Sequence, residues 1–322
     1  MRTIRWLIIL VLIAIALWRL APEISSISSL IKYIDKVQTP WLILTVVSQA
    51  GQYFGSGWLS QVLLKIAGYR INLKNTFLIS CLNVFAAHIL PVGDAGMIAA
   101  TFYFYRKLGV QTGSIIFLAL LWPIFGGVVL LSLFLSSLFY LPKPPTLSFH
   151  PSFITLTTAS VATIIGLILF WGRKTILNKL ILFVARFSFF EEIRRFKNNL
   201  PIYKKNLSHN KLYAAEGLLS AFIYYLSNIA TLVLSFVTFG NLPPVSVIIF
   251  AYTLSLVAGW ITFAPAGIGA AEATLILVFL HFNIDATLTI AAVLVFRLIT
   301  FWLPIPFGAL AFKILMKKDK SK

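Results

Sequence analysis

Residues 246–281 read SVIIFAYTLSLVAGWITFAPAGIGAAEATLILVFLH, and this stretch decides the fold. Its nearly continuous apolar character predicts helical structure inside a membrane. Pro265 removes a backbone donor, and Gly267 and Gly269 free the φ angle, so the stretch cannot form one continuous helix. It therefore predicts two short helices joined by a turn at membrane depth, which is a re-entrant hairpin.

A second apolar stretch, residues 75–107, is broken in the same way by residues 91–96 (PVGDAG). Outside these two hairpins, six apolar runs approach the ~20 residues that a spanning helix needs, and they cover about 4–20, 41–64, 113–140, 153–171, 213–238 and 286–312. Runs of this length favour helices over the strands of a β-barrel. The predicted fold class is all-α, a polytopic integral membrane helix bundle with about six spanning helices and two Pro/Gly-broken re-entrant hairpins.

The composition excludes a soluble protein. Of 322 residues, 59% are hydrophobic and 11% are charged, whereas soluble domains carry about 25% charged residues. The net charge of +18 comes from Lys and Arg in the short connections between apolar runs, as the positive-inside bias requires, so no nucleic-acid partner is expected. The single cysteine, Cys81, excludes an internal disulfide and a cysteine-based metal site. No catalytic or nucleotide-binding motif is present, so we expect no enzyme activity, metal or cofactor.

Placing the basic connections in the cytoplasm gives a multi-pass protein of the cell (inner) membrane with both termini cytoplasmic. Residues 75–107 then enter from the inside and residues 246–281 from the outside. Segments that begin near residues 41, 75 and 113 recur at a nearly constant offset near residues 213, 246 and 286. We therefore predict one membrane domain, residues 1–322, with a first half (1–145) and an inverted second half (146–322). Interrupted helices at matching places in inverted halves are typical of a midplane binding site in transporters.

Arg297 is the most informative side chain, because it lies in an otherwise apolar helix. Counted from about residue 286, it is roughly 16 Å deep in a hydrocarbon core about 30 Å thick. A charge at that depth costs about 2.5–3.5 kcal/mol even on the mildest scale. We therefore expect Arg297 to face the bundle interior, with Glu272 as its partner. The pair could lock the hairpin to the last helix, or Arg297 could meet a lipid phosphate as the headgroup crosses, and the two roles are compatible.

Asp94 and Glu272 each begin a short helix, where a carboxylate can cap free amides and suits the positive end of the helix dipole. The same helix ends attract phosphate, and the acids could instead mark a site coupled to protons or cations. The candidate substrate-binding residues are Arg297, Glu272, Asp94, Gly267, Gly269 and Gly93, and the candidate turn residues are Pro91 and Pro265.

Residues 173–211 form a basic stretch with apolar side chains at helical spacing. Such a segment suits the surface of an anionic cytoplasmic leaflet, although a plain positive loop that sets topology is equally compatible. It could gather anionic lipid headgroups beside the bundle or recruit a soluble enzyme.

Residues 260–273, followed by Arg297 and Trp302-Leu-Pro, resemble the lysylphosphatidylglycerol synthase transmembrane family, the flippase-like membrane domain. That family has a Pro-Gly-Gly-x-Gly-x-x-Glu motif and an arginine in the next helix; here Ala266 replaces the second glycine. Asn83 with residues 91–96 resembles its N-terminal motif, without the common Arg-x-Gly-Glu form. The C-terminal aminoacyl transferase domain of the bifunctional members is not expected here.

The resemblance implies a bacterial or archaeal membrane protein that moves phospholipids or lipid-linked intermediates between leaflets. Its expected partners are membrane lipids, either anionic phospholipid or polyprenyl-linked lipid. Two other hypotheses stay open: a membrane subunit or scaffold that recruits a soluble partner, and an intramembrane enzyme that acts on polyprenyl-phosphate lipids.

Overall fold

The computed structural model describes residues 37–89, 94–142, 211–262 and 269–317, together with residues 196, 199–203 and 205–206. All regular structure in this part of the chain is helical. In chain order the helices are α1 (Thr39–Ile66), α2 (Leu73–Ile89), α3 (Asp94–Lys107), α4 (Thr112–Phe139), α5 (Lys211–Val237), α6 (Val245–Thr262), α7 (Ala270–His281), α8 (Ala286–Arg297) and α9 (Pro304–Lys317). Between α8 and α9, Leu298–Trp302 form a π-helical turn. The protein is an all-α, polytopic membrane protein, as predicted.

Three helical segments of the described residues are long and apolar enough to cross a membrane, and they are Thr112–Phe139, Leu212–Val237 and Ala286–Lys317. Helix α1 has 28 residues and matches their length, but the polar side chains Gln49, Gln52 and Gln61 lower its hydropathy. The predicted spanning runs 4–20 and 153–171 lie outside the described residues.

Both predicted interruptions separate two helices. Helix α2 ends at Ile89 and α3 begins at Asp94, while α6 ends at Thr262 and α7 begins at Ala270. In each case the two helices pack against one another, which is the arrangement of a helical hairpin. The turns themselves, with Pro91, Gly93, Pro265 and Gly267, lie outside the described residues, and the side from which each hairpin enters a membrane stays a prediction.

The chain divides into two compact units, and both contain residues from each predicted half. Unit 1 contains hairpin α6–α7 and helix α8, and its described residues are 37–50, 132–142, 227–262 and 269–303. Unit 2 contains hairpin α2–α3 and helix α9, and its described residues are 51–89, 94–131, 211–226, 304–317 and those between 196 and 206.

Aromatic packing forms the core of unit 1. The rings of Phe236 and Phe279 have centroids 4.7 Å apart, and those of Phe134 and Phe250 are stacked at 5.7 Å. Because lipid offers no hydrophobic drive between helices, such packing and interhelical hydrogen bonds hold the helices together. One such bond joins the hydroxyls of Ser48 and Thr231 at 2.7 Å.

Unit 2 depends on a close approach of α2 and α9. A Cβ atom added at Gly308 would collide with Cβ of Phe85 and would lie 2.9 Å from the Cys81 carbonyl oxygen. Cys81 is buried in the same region, in a cluster with Tyr53 and Ala311. A small residue at position 308 therefore lets the two backbones meet, as small residues do at membrane helix interfaces.

Gly308→Val is expected to destabilise the protein by about 1–3 kcal/mol, because the extra atoms overpack this contact. The matched control is Gly127→Val, since an added Cβ at Gly127 meets nothing within 4 Å. Unfolding in detergent micelles measures both variants. An equal loss of stability in the two variants would show that the α2–α9 contact is not what Gly308→Val disrupts.

Candidate functional site

Glu272 is held at the start of α7 by the backbone of Gly269. Gly269 has a φ angle of 87°, which glycine adopts far more readily than other residues. Its N–H donates to Glu272 Oε2 at 2.7 Å, so the carboxylate reaches back from the third helical position as in a capping box. The predicted capping position of Glu272 is therefore present, and it fixes the direction of the side chain.

Arg297, the last residue of α8, meets the other carboxylate oxygen. Its Nε atom lies 2.8 Å from Glu272 Oε1, and the Arg297 and Glu272 side chains are 18% and 26% exposed. The Nε–H bond is not directed at Oε1, so the contact is an ion pair, and Nε has no hydrogen bond to any described residue. Both oxygens of Glu272 are thus engaged, whereas Nε, one of the nitrogens that carry the five N–H donors of the guanidinium, has no acceptor among the described residues.

A widened helical turn begins immediately after Arg297. The Leu303 N–H donates to the Leu298 carbonyl at 2.9 Å, a bond that spans five residues instead of four. Pro304 cannot donate the next backbone bond, and the Thr300 hydroxyl donates to the Phe296 carbonyl at 2.8 Å. Turns of this π type frequently occur at functional sites.

The position of Arg297 along α8 agrees with burial in the bilayer core. Asp285 is exposed and caps the helix, because its Oδ1 atom accepts the Leu288 N–H at 2.7 Å. Arg297 is the last of the 12 residues of α8, about 17 Å along the axis at 1.5 Å per residue. If α8 starts at the membrane surface, Arg297 reaches the middle of a core about 30 Å thick.

An apolar face that is open to the surroundings adjoins the ion pair. Leu294, Leu298 and Trp302 follow one another at intervals of four residues and are 58%, 57% and 60% exposed. We call these three residues the lipid-facing stripe, since apolar side chains exposed on a membrane helix are expected to face acyl chains. Arg297 follows Leu294 by three residues, a spacing that makes the two side chains neighbours on the helix surface, and the ion pair is partly exposed beside this stripe.

The structure brings together three of the predicted site residues: Gly269, Glu272 and Arg297. Asp94 is the first residue of α3 and belongs to unit 2. Gly93, Gly267, Pro91 and Pro265 lie outside the described residues.

Asp285 and Thr300 are not among the predicted site residues, although Asp285 caps the start of α8 and Thr300 lies in the π-helical turn that follows it. An Asp immediately before an apolar helical run signals a helix cap. A Thr inside a helix signals a hydroxyl that can donate back to the carbonyl four residues earlier, as Thr300 does to Phe296.

Comparison with known proteins places these residues in a wider group. The family model described as "Lysylphosphatidylglycerol synthase TM region" matches residues 5–308, a range that contains both members of the ion pair. The chain is also 24% identical over 314 residues to a UPF0104 membrane protein of Methanocaldococcus jannaschii, and the match covers 92% of this chain and 91% of that protein.

Proposed function

Since the chain belongs to the lysylphosphatidylglycerol synthase transmembrane family, we propose that it moves phosphate-bearing lipids between the two leaflets of the cell membrane. The observation that carries this proposal is the Glu272–Arg297 ion pair, which lies beside the lipid-facing stripe. A lipid can approach the stripe with its acyl chains in the bilayer while its headgroup reaches the pair. The expected lipid is an anionic phospholipid or a polyprenyl-linked lipid.

Arginine suits this task because its planar guanidinium recognises phosphate through two parallel hydrogen bonds. In the resting state Glu272 neutralises Arg297, so no isolated charge is buried. An arriving phosphate can take over Arg297 while Glu272 keeps its bond to the Gly269 amide. The guanidinium therefore exchanges one anionic partner for another, and neither state leaves it unpaired in the core.

The two broken hairpins support the same function. Interrupted helices in inverted repeats surround midplane substrate sites in transporters, and Glu272 lies in the first turn of the second helix of one such hairpin. In the proposed arrangement hairpin α2–α3 enters from the cytoplasmic side, hairpin α6–α7 enters from the outside, and both termini are cytoplasmic. A headgroup then slides past the ion pair without exposing its charge to hydrocarbon.

Purified protein in liposomes tests this proposal directly. One set of vesicles carries a fluorescent phospholipid, and a second set carries an uncharged glycolipid with the same fluorophore; a membrane-impermeant quencher then reports leaflet exchange. We expect the protein to accelerate exchange of the phospholipid at least about tenfold over protein-free vesicles, and to accelerate the glycolipid much less, because only the phosphate binds arginine.

No acceleration of either lipid would overturn the proposal, and equal acceleration of both would overturn the role of the phosphate. Chromatography of the lipids after the assay separates transport from chemical conversion. We expect unaltered lipids, and a modified headgroup would support the intramembrane enzyme instead.

A further inference from the structure

One end of unit 2 gathers the termini of several helices. At this end Lys107, the last residue of α3, donates through Nζ to the Leu315 carbonyl near the end of α9, at 3.3 Å. The Gln111 N–H, between α3 and α4, donates to the Tyr69 hydroxyl at 3.2 Å. These contacts place the ends of α1, α3 and α9 and the start of α4 together.

Residues 196, 199–203 and 205–206, which we call the docked arm, pack against the same end. The Asn206 side chain donates to the Ile66 carbonyl at the end of α1, at 2.9 Å. The hydroxyls of Tyr203 and Ser114 are 3.0 Å apart, and the Tyr203 ring lies 4.4 Å from the ring of Phe117. Tyr203 is 3% exposed, so the described part of the arm is anchored to the bundle.

Among the residues that the structure describes, this end of unit 2 is strongly positive. Six exposed cations lie here, contributed by the α1–α2 connection, α2, α3, the docked arm and α9. They are Arg70, Lys74, Arg106, Lys205, Lys313 and Lys317. The acid described at this end is Glu216, 4.0 Å from Lys65. Among the Lys and Arg residues that the structure describes, only Arg297 belongs to unit 1, and all the others belong to unit 2.

Exposed apolar side chains lie beside these cations. Phe312 and Ile314 flank Lys313 and are 44% and 38% exposed, and Ile202 in the docked arm is 55% exposed. A surface that mixes cations with exposed apolar groups suits the boundary between headgroups and acyl chains. The alternative ligand of a basic surface is an acidic protein, but such a protein would have to bury these apolar side chains against its own charged surface. The mixture of cations and apolar groups therefore favours lipid as the ligand.

We propose that this basic end of unit 2 is a binding surface for the anionic headgroups of the leaflet it faces. Clusters of about four to eight Lys or Arg residues next to membrane-spanning helices are typical of anionic-lipid binding. Because Tyr203 and Asn206 are anchored to the bundle, the backbone at Lys205 is held at this end of unit 2. The headgroups bridge these elements and stabilise the docked arm. This surface does not depend on transport by the ion pair in unit 1.

Native mass spectrometry of the full chain in detergent, titrated with phosphatidylglycerol or phosphatidylcholine, tests the surface without requiring transport. We expect phosphatidylglycerol to bind at least about tenfold more tightly, and the preference to weaken as salt is raised. Neutralising three cations in the Arg106→Gln/Lys313→Gln/Lys317→Gln variant should remove about tenfold or more of the phosphatidylglycerol affinity.

The matched control keeps the charge and changes the side chains: Arg106→Lys/Lys313→Arg/Lys317→Arg should bind within about twofold of the unaltered protein if charge dominates. Hydrogen exchange across residues 196–206 gives an independent readout, because phosphatidylglycerol should slow exchange in the docked arm. Should the neutral variant fail to fold, the lipid preference and salt dependence of the unaltered chain still decide. No preference for phosphatidylglycerol, or full affinity in the neutral variant, would overturn the proposal.

Discussion

Replacing Glu272 by alanine is expected to lower the free energy of unfolding by about 3 kcal/mol, because it leaves the Arg297 charge without its partner in a poorly solvated site. This loss is at the low end of the range for removing one partner of a buried ion pair, because the Arg297 and Glu272 side chains are still 18% and 26% exposed. The start of α7 also loses the contact between the carboxylate and the Gly269 amide. Denaturation in mixed micelles, followed by circular dichroism, measures the loss.

The double variant Glu272→Ala/Arg297→Met serves as the control for this prediction. It removes the unpaired cation as well as the acid, and apolar replacement of a buried pair is often neutral or stabilising. We expect it to recover most of the lost stability. A double variant as unstable as Glu272→Ala would show that the ion pair is not what the single substitution disrupts, and that the helix cap dominates.

Arg297→Gln is expected to reduce leaflet exchange of a phospholipid at least about tenfold, because a neutral amide cannot offer phosphate a charge-assisted, two-pronged contact. Arg297→Lys keeps the charge but not the planar fork, and the two residues are not interchangeable at such sites. We expect Lys to give an intermediate rate. The liposome quenching assay, at equal protein per vesicle, measures the exchange rates of the unaltered protein and of both variants.

Gly127→Ala is the control for these rates, since the added methyl group meets nothing within 4 Å, and it should exchange lipid at the unaltered rate. If Arg297→Gln also exchanged phospholipid at that rate while remaining folded, Arg297 would have no direct role in transport.

The sequence predicted the features that follow from strong local constraints. Pro and Gly in two apolar stretches predicted the interruptions, and α2, α3, α6 and α7 begin and end on either side of them. The cost of a charge in hydrocarbon predicted that Arg297 would need a partner, and the structure pairs it with Glu272. Both predictions depend on a residue whose chemistry leaves few alternatives.

Features that depend on packing between distant segments were not predictable in this way. The basic stretch 173–211 was expected at a leaflet surface or in a plain loop, and most of it lies outside the described residues. Neither expectation included the burial of Phe196 and Tyr203, which are each 3% exposed in unit 2. Tyr203 contacts Ser114 and Phe117 of α4, and Phe196 lies beside Gly113 of the same helix, all of which are remote in sequence. The π-helical turn after Arg297 is likewise accompanied by two local features, the Thr300 hydroxyl that donates to the Phe296 carbonyl and Pro304, which has no N–H to donate. Hydrophobic periodicity does not reveal their combined effect on the helix.

The leaflet-exchange rate of Glu272→Gln/Arg297→Met tests the transport role of the ion pair most directly, because this variant removes both charges without leaving either one unpaired. If Arg297 receives the lipid phosphate, the folded double variant will exchange phospholipid no faster than protein-free vesicles do. Exchange at the rate of the unaltered protein would contradict this role and leave the pair as a purely structural link between α7 and α8.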